Sequence, residues 1–176
     1  MPNWCMNNLT VTGKPERLNA IADAISENKF FEHIVPIGEW EYENALSAWG
    51  TKWDANGATV DFPEEDTLSV VFDTAWSPPI GVLEALCDDP DIDSVYCSYF
   101  EPGMDFGGEW EDGDDRFCEN LQDEFNAGNP LAQELNEQFD LENYYDDGEE
   151  PEELSTWLEE GMQEKNLQKG VDIQGS

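Results

Sequence analysis

Ala58-Thr59-Val60-Asp61-Phe62 and Thr67-Leu68-Ser69-Val70-Val71-Phe72 flank the polar stretch Pro63-Glu64-Glu65-Asp66. In the first run Ala58, Val60 and Phe62 recur at every second position, and in the second Leu68, Val70 and Phe72 do the same. This is the period of a strand with one buried face. A short polar connection of this length suits a hairpin, so the two runs are expected to pair antiparallel.

The same reading extends outward in both directions. Residues 3–12 alternate, with Cys5, Leu9 and Val11 on one face and Trp4, Met6, Asn8 and Thr10 on the other, and Gly13 ends the run. Pro15 then suits a first helical turn, and Leu18, Ile21, Ala22 and Ile25 follow at helical spacing up to Asn28. Residues 30–57, with Trp40, Trp49 and Trp53, are less regular and predict a structured excursion. Beyond the hairpin, Ser77-Pro78 has the form of a cap and first turn, and Ile80, Leu83, Leu86 and Cys87 make the buried stripe of a second helix. Val95, Cys97 and Tyr99 alternate in a further strand, and Phe106–Trp110 add another after Pro102-Gly103. Strand, helix, strand, strand, helix, strand is a split βαβ order. It predicts an α+β fold of the ferredoxin-like kind, with an antiparallel sheet and two helices on one face.

A chain of 176 residues, 39% hydrophobic, suffices for one well-packed core. Seven Trp, nine Phe and five Tyr argue against wholesale disorder, because such side chains supply the buried area that offsets chain entropy. Charge is the outlying property: 42 acidic residues face 7 basic ones, for a net −35. Duplex DNA carries about one charge per 1.7 Å of axis, so this equals the charge on about 60 Å of duplex. Such a field repels DNA, RNA and anionic lipid and attracts basic surfaces. No apolar run approaches the roughly 18 residues of a membrane span, and the first residues do not resemble a signal peptide, so a cytoplasmic protein is expected. Cys5, Cys87, Cys97 and Cys118 lie far apart and His33 is the one histidine. That spacing gives no zinc or iron–sulfur pattern and predicts free thiols, with no metal and no cofactor.

Past residue 112 the composition shifts. Residues 101–160 hold 22 acidic residues and one basic residue, Arg116, against 18 and 4 in residues 1–100. A ferredoxin-like domain over 1–112 is therefore expected to be followed by an acidic helical extension over 113–164 and a frayed tail over 165–176. Asn129-Pro130 opens one predicted helix, with Leu131, Leu135 and Phe139 inward. Pro151 opens another, with Leu154, Trp157, Leu158 and Met162 as its apolar stripe.

Four segments carry a family resemblance: Met1-Pro2-Asn3-Trp4-Cys5-Met6-Asn7-Asn8-Leu9-Thr10-Val11-Thr12-Gly13, Trp49-Gly50-Thr51-Lys52-Trp53, Phe72-Asp73-Thr74-Ala75-Trp76-Ser77-Pro78-Pro79, and Tyr99-Phe100-Glu101-Pro102-Gly103-Met104-Asp105-Phe106-Gly107-Gly108. In this order they resemble the YubB-type ferredoxin-like family carried by phages and plasmids, over roughly residues 1–112. The resemblance implies a split βαβ fold without an iron–sulfur cluster, and a mobile-element setting. It carries over no catalytic residue.

Function must then be read from the acidic residues themselves. Carboxylates three or four residues apart on a helix stand about 5–6 Å apart and can present a line of negative charge like a phosphate backbone. The expected carriers are Glu119, Asp123, Glu124, Glu134, Glu137, Asp140, Asp146, Asp147, Glu149, Glu150, Glu152, Glu153, Glu159 and Glu160. They point to a noncatalytic nucleic-acid mimic that occupies the basic nucleic-acid-binding surface of a host protein, without direct contact to nucleic acid or membrane. The competing expectation is an interaction or assembly module in which the sheet binds a partner and the acidic extension only solvates it.

Other chemistry reads less well. Asp89, Asp91 and Asp93 alternate as in a calcium loop, but Ser94 stands where glycine is needed and Phe100 where a bidentate glutamate is needed. Asp112, Asp114 and Asp115 around Gly113 could collect a divalent cation only weakly. His33 has no nucleophile at readable spacing, and Gly107-Gly108 is too short for a phosphate loop. Trp49 and Trp53 flank Lys52, but the overall charge opposes base stacking and favours core packing or an interface anchor.

Overall fold

The computed structural model describes residues 3–147. Its elements are β1 (Trp4–Gly13), α1 (Pro15–Ser26), α2 (Phe30–Ile34), α3 (Tyr42–Trp49), β2 (Asn56–Glu64), β3 (Thr67–Ala75), α4 (Ile80–Asp88), β4 (Ile92–Glu101), β5 (Phe106–Glu111), β6 (Asp114–Glu119), α5 (Leu121–Asn126), α6 (Pro130–Phe139) and α7 (Leu141–Asp147). The strands form one sheet in the order β2-β3-β1-β4-β5-β6, and every neighbouring pair is antiparallel. The first four strands and helices α1 and α4 reproduce the α+β split βαβ order expected from the sequence, with β5 and β6 added beyond β4.

Alternation decides which face is buried. In β1, Cys5, Asn7, Leu9 and Val11 are buried while the residues between them are half-exposed. Leu9 pairs with Val70 on β3 and with Cys97 on β4, so three strands turn their apolar side chains to the same face. Onto that face α1 sets Leu18, Ile21 and Ile25, and α4 sets Val82, Leu83 and Leu86. The structured excursion consists of α2 and α3. Phe30 and Phe31 meet Phe72 edge-on at 5.6 and 5.9 Å, and Phe31 meets Trp49 at 5.7 Å. Burying each such aromatic is worth roughly 1.5–3 kcal/mol, and the edge-on geometry adds about 0.5–1.5.

Two local expectations are corrected. Ser77 does not cap α4; the residue before that helix is Pro79, and the Ser77 hydroxyl donates to the Gly50 carbonyl at 2.7 Å. The hydroxyl is drawn there because α3 ends at Gly50, whose φ of +85° turns the chain back beside α4. Residues 113–119 also do not begin a helical extension. Asp112 and Gly113, with φ of +49° and +101°, make a two-residue hairpin turn, and β6 pairs with β5 from Glu111↔Asp114 to Phe106↔Glu119. The boundary expected after 112 therefore falls inside the β5–β6 turn. Contacts divide the chain into units Met1–Gln138 and Phe139–Ser176.

The expected helix after Asn129 forms as α6, and the Asn129 side-chain oxygen accepts from Leu131 N and Ala132 N. It covers part of the sheet face opposite α1–α4. A Cβ on Gly107 would meet Leu121 and Leu135 at 3.1 Å, and Gln138 accepts from Asn8 and Ser98, both on that opposite face. Within the second unit, Asp140 stands before α7 and accepts from Asn143, and Tyr144 and Tyr145 lie edge to face at 5.6 Å. The helix expected after Pro151 and the tail over 165–176 lie outside the described residues.

Candidate functional site

Four stretches far apart in the chain meet where β1 begins and β3 ends. Trp76 N donates to Asn3 O at 2.8 Å, and Thr51 Oγ1 donates to Ala75 O at 2.8 Å. Asn3 Nδ2 donates to Glu101 at 3.4 Å, and Gly103 N and Met104 N donate to the same carboxylate. Trp4 and Trp53 lie with ring centroids 6.2 Å apart. Every quoted motif of the sequence thus contributes a partner to this one end of the sheet.

The support beneath it is buried and polar. Asn7 Nδ2 donates to Thr74 Oγ1 and to Cys5 O, both at 3.0 Å, and Thr74 Oγ1 donates to Ser77 O at 2.6 Å. Asn7 Oδ1 has no partner among the described residues, an arrangement that costs about 1–3 kcal/mol relative to a satisfied group. Glu101 is fully buried, and that burial raises its carboxyl above the usual range although Met104 N, Gly103 N and Asn3 oppose the shift. Trp76 adopts φ +76° and remains 47% exposed. A bulky residue held in this region costs on the order of 1–3 kcal/mol, and such positions cluster at functional sites.

The surface of this end is aromatic. Trp40, Tyr42 and Trp53 are exposed, in contrast to Trp49, which is core. Trp40 Nε1 donates to the Lys52 carbonyl at 2.9 Å. The Lys52 ammonium lies 4.6 Å from the Trp53 ring centroid and 6.0 Å from that of Tyr42. Trp49 and Trp53 share one reading in the sequence, core or anchor; the structure buries Trp49 in the core and leaves Trp53 exposed, and Trp40, Tyr42 and Trp76 were not among the expected site residues.

The acidic residues expected to carry function are distributed over several elements. Glu119 closes β6, Asp123 and Glu124 lie on α5, Glu134 and Glu137 on α6, and Asp140 precedes α7. All of these are exposed except Glu124, which is half-buried and accepts from Asn129 Nδ2 at 2.9 Å. Asp146 and Asp147 fall in the last turn of α7. Glu149, Glu150, Glu152, Glu153, Glu159 and Glu160 lie outside the described residues. Exposed carboxylates occur equally on the earlier elements, among them Glu16, Asp23, Glu43, Glu64 and Asp93.

Several cations are held by acids. Lys14 pairs with Asp91 at 3.1 Å and Arg17 with Asp89 at 2.6 Å. Burial works against the charge on Asp89, but the Arg17 bond and the Asp91 N–H keep its carboxyl below the ordinary value. These pairs occupy two of the three aspartates that alternate like a calcium loop. Asp112, another candidate cation ligand, accepts from Val95 N at 2.8 Å. His33 Nε2 lies 2.8 Å from Arg17 Nη1. Arg116 bridges Glu109 at 2.8 Å and Glu134 at 3.2 Å, and Tyr96 OH donates to Glu109 at 2.9 Å. Burial first, and then the nearby Glu134, raise the Glu109 carboxyl against the opposing Tyr96 and Arg116. Among the described residues no group of three or more His, Cys, Asp or Glu side chains is placed to hold a metal ion.

An open antiparallel sheet in split βαβ order defines a ferredoxin-like domain. A family model described as the ferredoxin-like domain in Api92-like protein matches residues 48–144, and the chain belongs to that family. The matched region takes in three of the four motifs and continues through β6 and α6, beyond the boundary of 112. No curated protein and no solved structure matches the chain. Among the described residues no helix is long and apolar enough to cross a membrane.

Proposed function

We propose that this is a noncatalytic acidic binding protein that occupies the basic nucleic-acid-binding surface of another protein and so keeps nucleic acid from it. The observation that carries the reading is the net charge of −35 on the chain, whose Lys14, Arg17 and Arg116 are already neutralised by carboxylates. Arginine- and lysine-rich grooves built for phosphate are the complementary surface, and association driven this way is fast and falls as salt rises. The phage or plasmid setting implied by the motif resemblance points to a host defence or nucleic-acid-processing protein in the cytoplasm as the target. The test is capture from host lysate on the immobilised protein. Joint substitution of Glu119, Asp123, Glu134 and Glu137 by their amides is expected to weaken capture at least tenfold while the thermal unfolding midpoint stays the same or rises. Unchanged capture contradicts the proposal.

One observation favours the second reading, an interaction module that works through the domain itself. Trp76 holds an exposed indole on strained backbone, where glycine would be at ease. On this reading Trp76→Gly leaves stability within about 1 kcal/mol of the parent and abolishes capture, whereas the amide substitutions do not.

A further inference from the structure

We propose that the Trp40–Tyr42–Trp53 surface is a receiving site for a lysine or arginine side chain of a basic partner segment, and that Lys52 fills it until the partner arrives. This inference rests on the reading of a basic partner and names the contact that would anchor it. Three features support it. A cation already sits in the site, with the Lys52 ammonium 4.6 Å from the Trp53 centroid and 6.0 Å from that of Tyr42, within the range of cation–π attraction. The framework is fixed, because the Trp40 indole holds the Lys52 carbonyl and Trp53 rests against Trp4. The surroundings favour a positive guest, since Glu39, Glu41 and Glu43 are all exposed on the same segment.

Exposed rings of this kind could also stack on nucleic-acid bases. A protein of net charge −35 repels the phosphates that accompany them, so the favoured guest is a protein cation. Lys52 needs only to rotate its flexible stem outward to free the Trp53 face, and an arginine guanidinium would then lie flat on the ring. In place of one internal cation the site would hold another from the partner.

The experiment is titration of a fluorescein-labelled peptide of nine arginines against the full-length protein, followed by anisotropy at about 0.15 M salt, where surface charges are screened beyond roughly 8 Å. Trp53→Leu keeps every charge and is expected to weaken binding about two- to tenfold, the range of a lost cation–π contact. Lys52→Gln is expected to tighten it about twofold or more. A triple variant, Glu64→Gln with Glu65→Gln and Asp66→Asn, removes three charges at the β2–β3 turn and calibrates what charge alone does. Unchanged affinity in Trp53→Leu, or a tightening in Lys52→Gln no larger than the per-charge effect read from the triple variant, overturns the inference. So does a single-stranded oligothymidine that binds more tightly than the peptide. The outcome is separable from that of the proposed function: a protein that captures no DNA-binding partner can still show the Trp53 effect, and a DNA competitor can lack it.

Discussion

The two faces of the sheet are built on different physics. The face under α1–α4 is apolar and interlocked, with Phe72 edge-on to Phe30 and Phe31, and Phe31 edge-on to Trp49. The face toward α6 is mixed: Leu121 and Leu135 are buried beside Gly107, while Asn8 and Ser98 share Gln138 and Arg116 ties Glu109 to Glu134. Apolar packing is worth kilocalories per side chain, whereas the half-exposed Arg116–Glu134 pair and the exposed Asn8–Gln138 bond contribute little net. The difference teaches that the core under α1–α4 is apolar, while buried carboxylates such as Glu101 and Glu109 sit among polar partners elsewhere.

The sharpest way to break this comparison is to truncate on the apolar face. Phe72→Ala is expected to cost about 3–5 kcal/mol, measured by chemical denaturation, because Phe72 is wedged between Phe30 and Phe31. A loss below 1 kcal/mol would mean the helices do not rest on this face as described. At the junction of the motifs, Thr74→Val is expected to cost about 1–3 kcal/mol, since it removes the donor to Ser77 O and leaves Asn7 Nδ2 only its bonds to Cys5 O and the longer one to Phe72 O.

A pH series sharpens the comparison from the charged side. Burial raises the carboxyls of Asp54, Asp73, Glu101 and Glu109 above their ordinary values of 3.8 for Asp and 4.5 for Glu. The folded state therefore holds these protons more tightly than the unfolded chain, and stability rises as pH falls through the raised values toward the ordinary ones. Asp89, held low by Arg17, works in the opposite sense, and its contribution is lost only at still lower pH. Self-repulsion of the net charge adds to the first trend. The melting temperature in low salt is expected to be higher at pH 5 than at pH 7, and higher with added salt at pH 7. A midpoint that falls between pH 7 and pH 5 would contradict this. The smallest effect is expected on the face toward α6, where Gln138→Ala should cost about 0.5 kcal/mol because its two bonds are 3.3 Å long and open to solvent.

Most of the sheet is legible in the residues because its apolar side chains alternate. Leu9, Val11, Leu68, Val70, Val95 and Cys97 appear at the period a half-buried strand demands, and all are buried. The strand β6 escapes that reading because Asp114, Asp115, Arg116 and Glu119 leave only Phe117 and Cys118 as apolar positions. Its signal is the Asp112-Gly113 pair, which fits a two-residue hairpin turn better than a cation site. The tryptophans separate only in three dimensions. Trp49 lies on the inner face of α3 and Trp53 beyond its end, a distinction that a four-residue spacing alone would assign to one face. The convergence of Asn3, Gly50, Trp76 and Glu101 is likewise a property of long-range pairing, on which a linear pattern is silent.

The most direct measurement begins with a host protein captured on this chain. Duplex DNA is titrated in, and the amount still bound is followed at two salt concentrations. Occupation of a nucleic-acid site predicts that DNA displaces the captured protein stoichiometrically and that raised salt weakens both complexes together. Displacement that fails at saturating DNA, with a ternary complex formed instead, would contradict it.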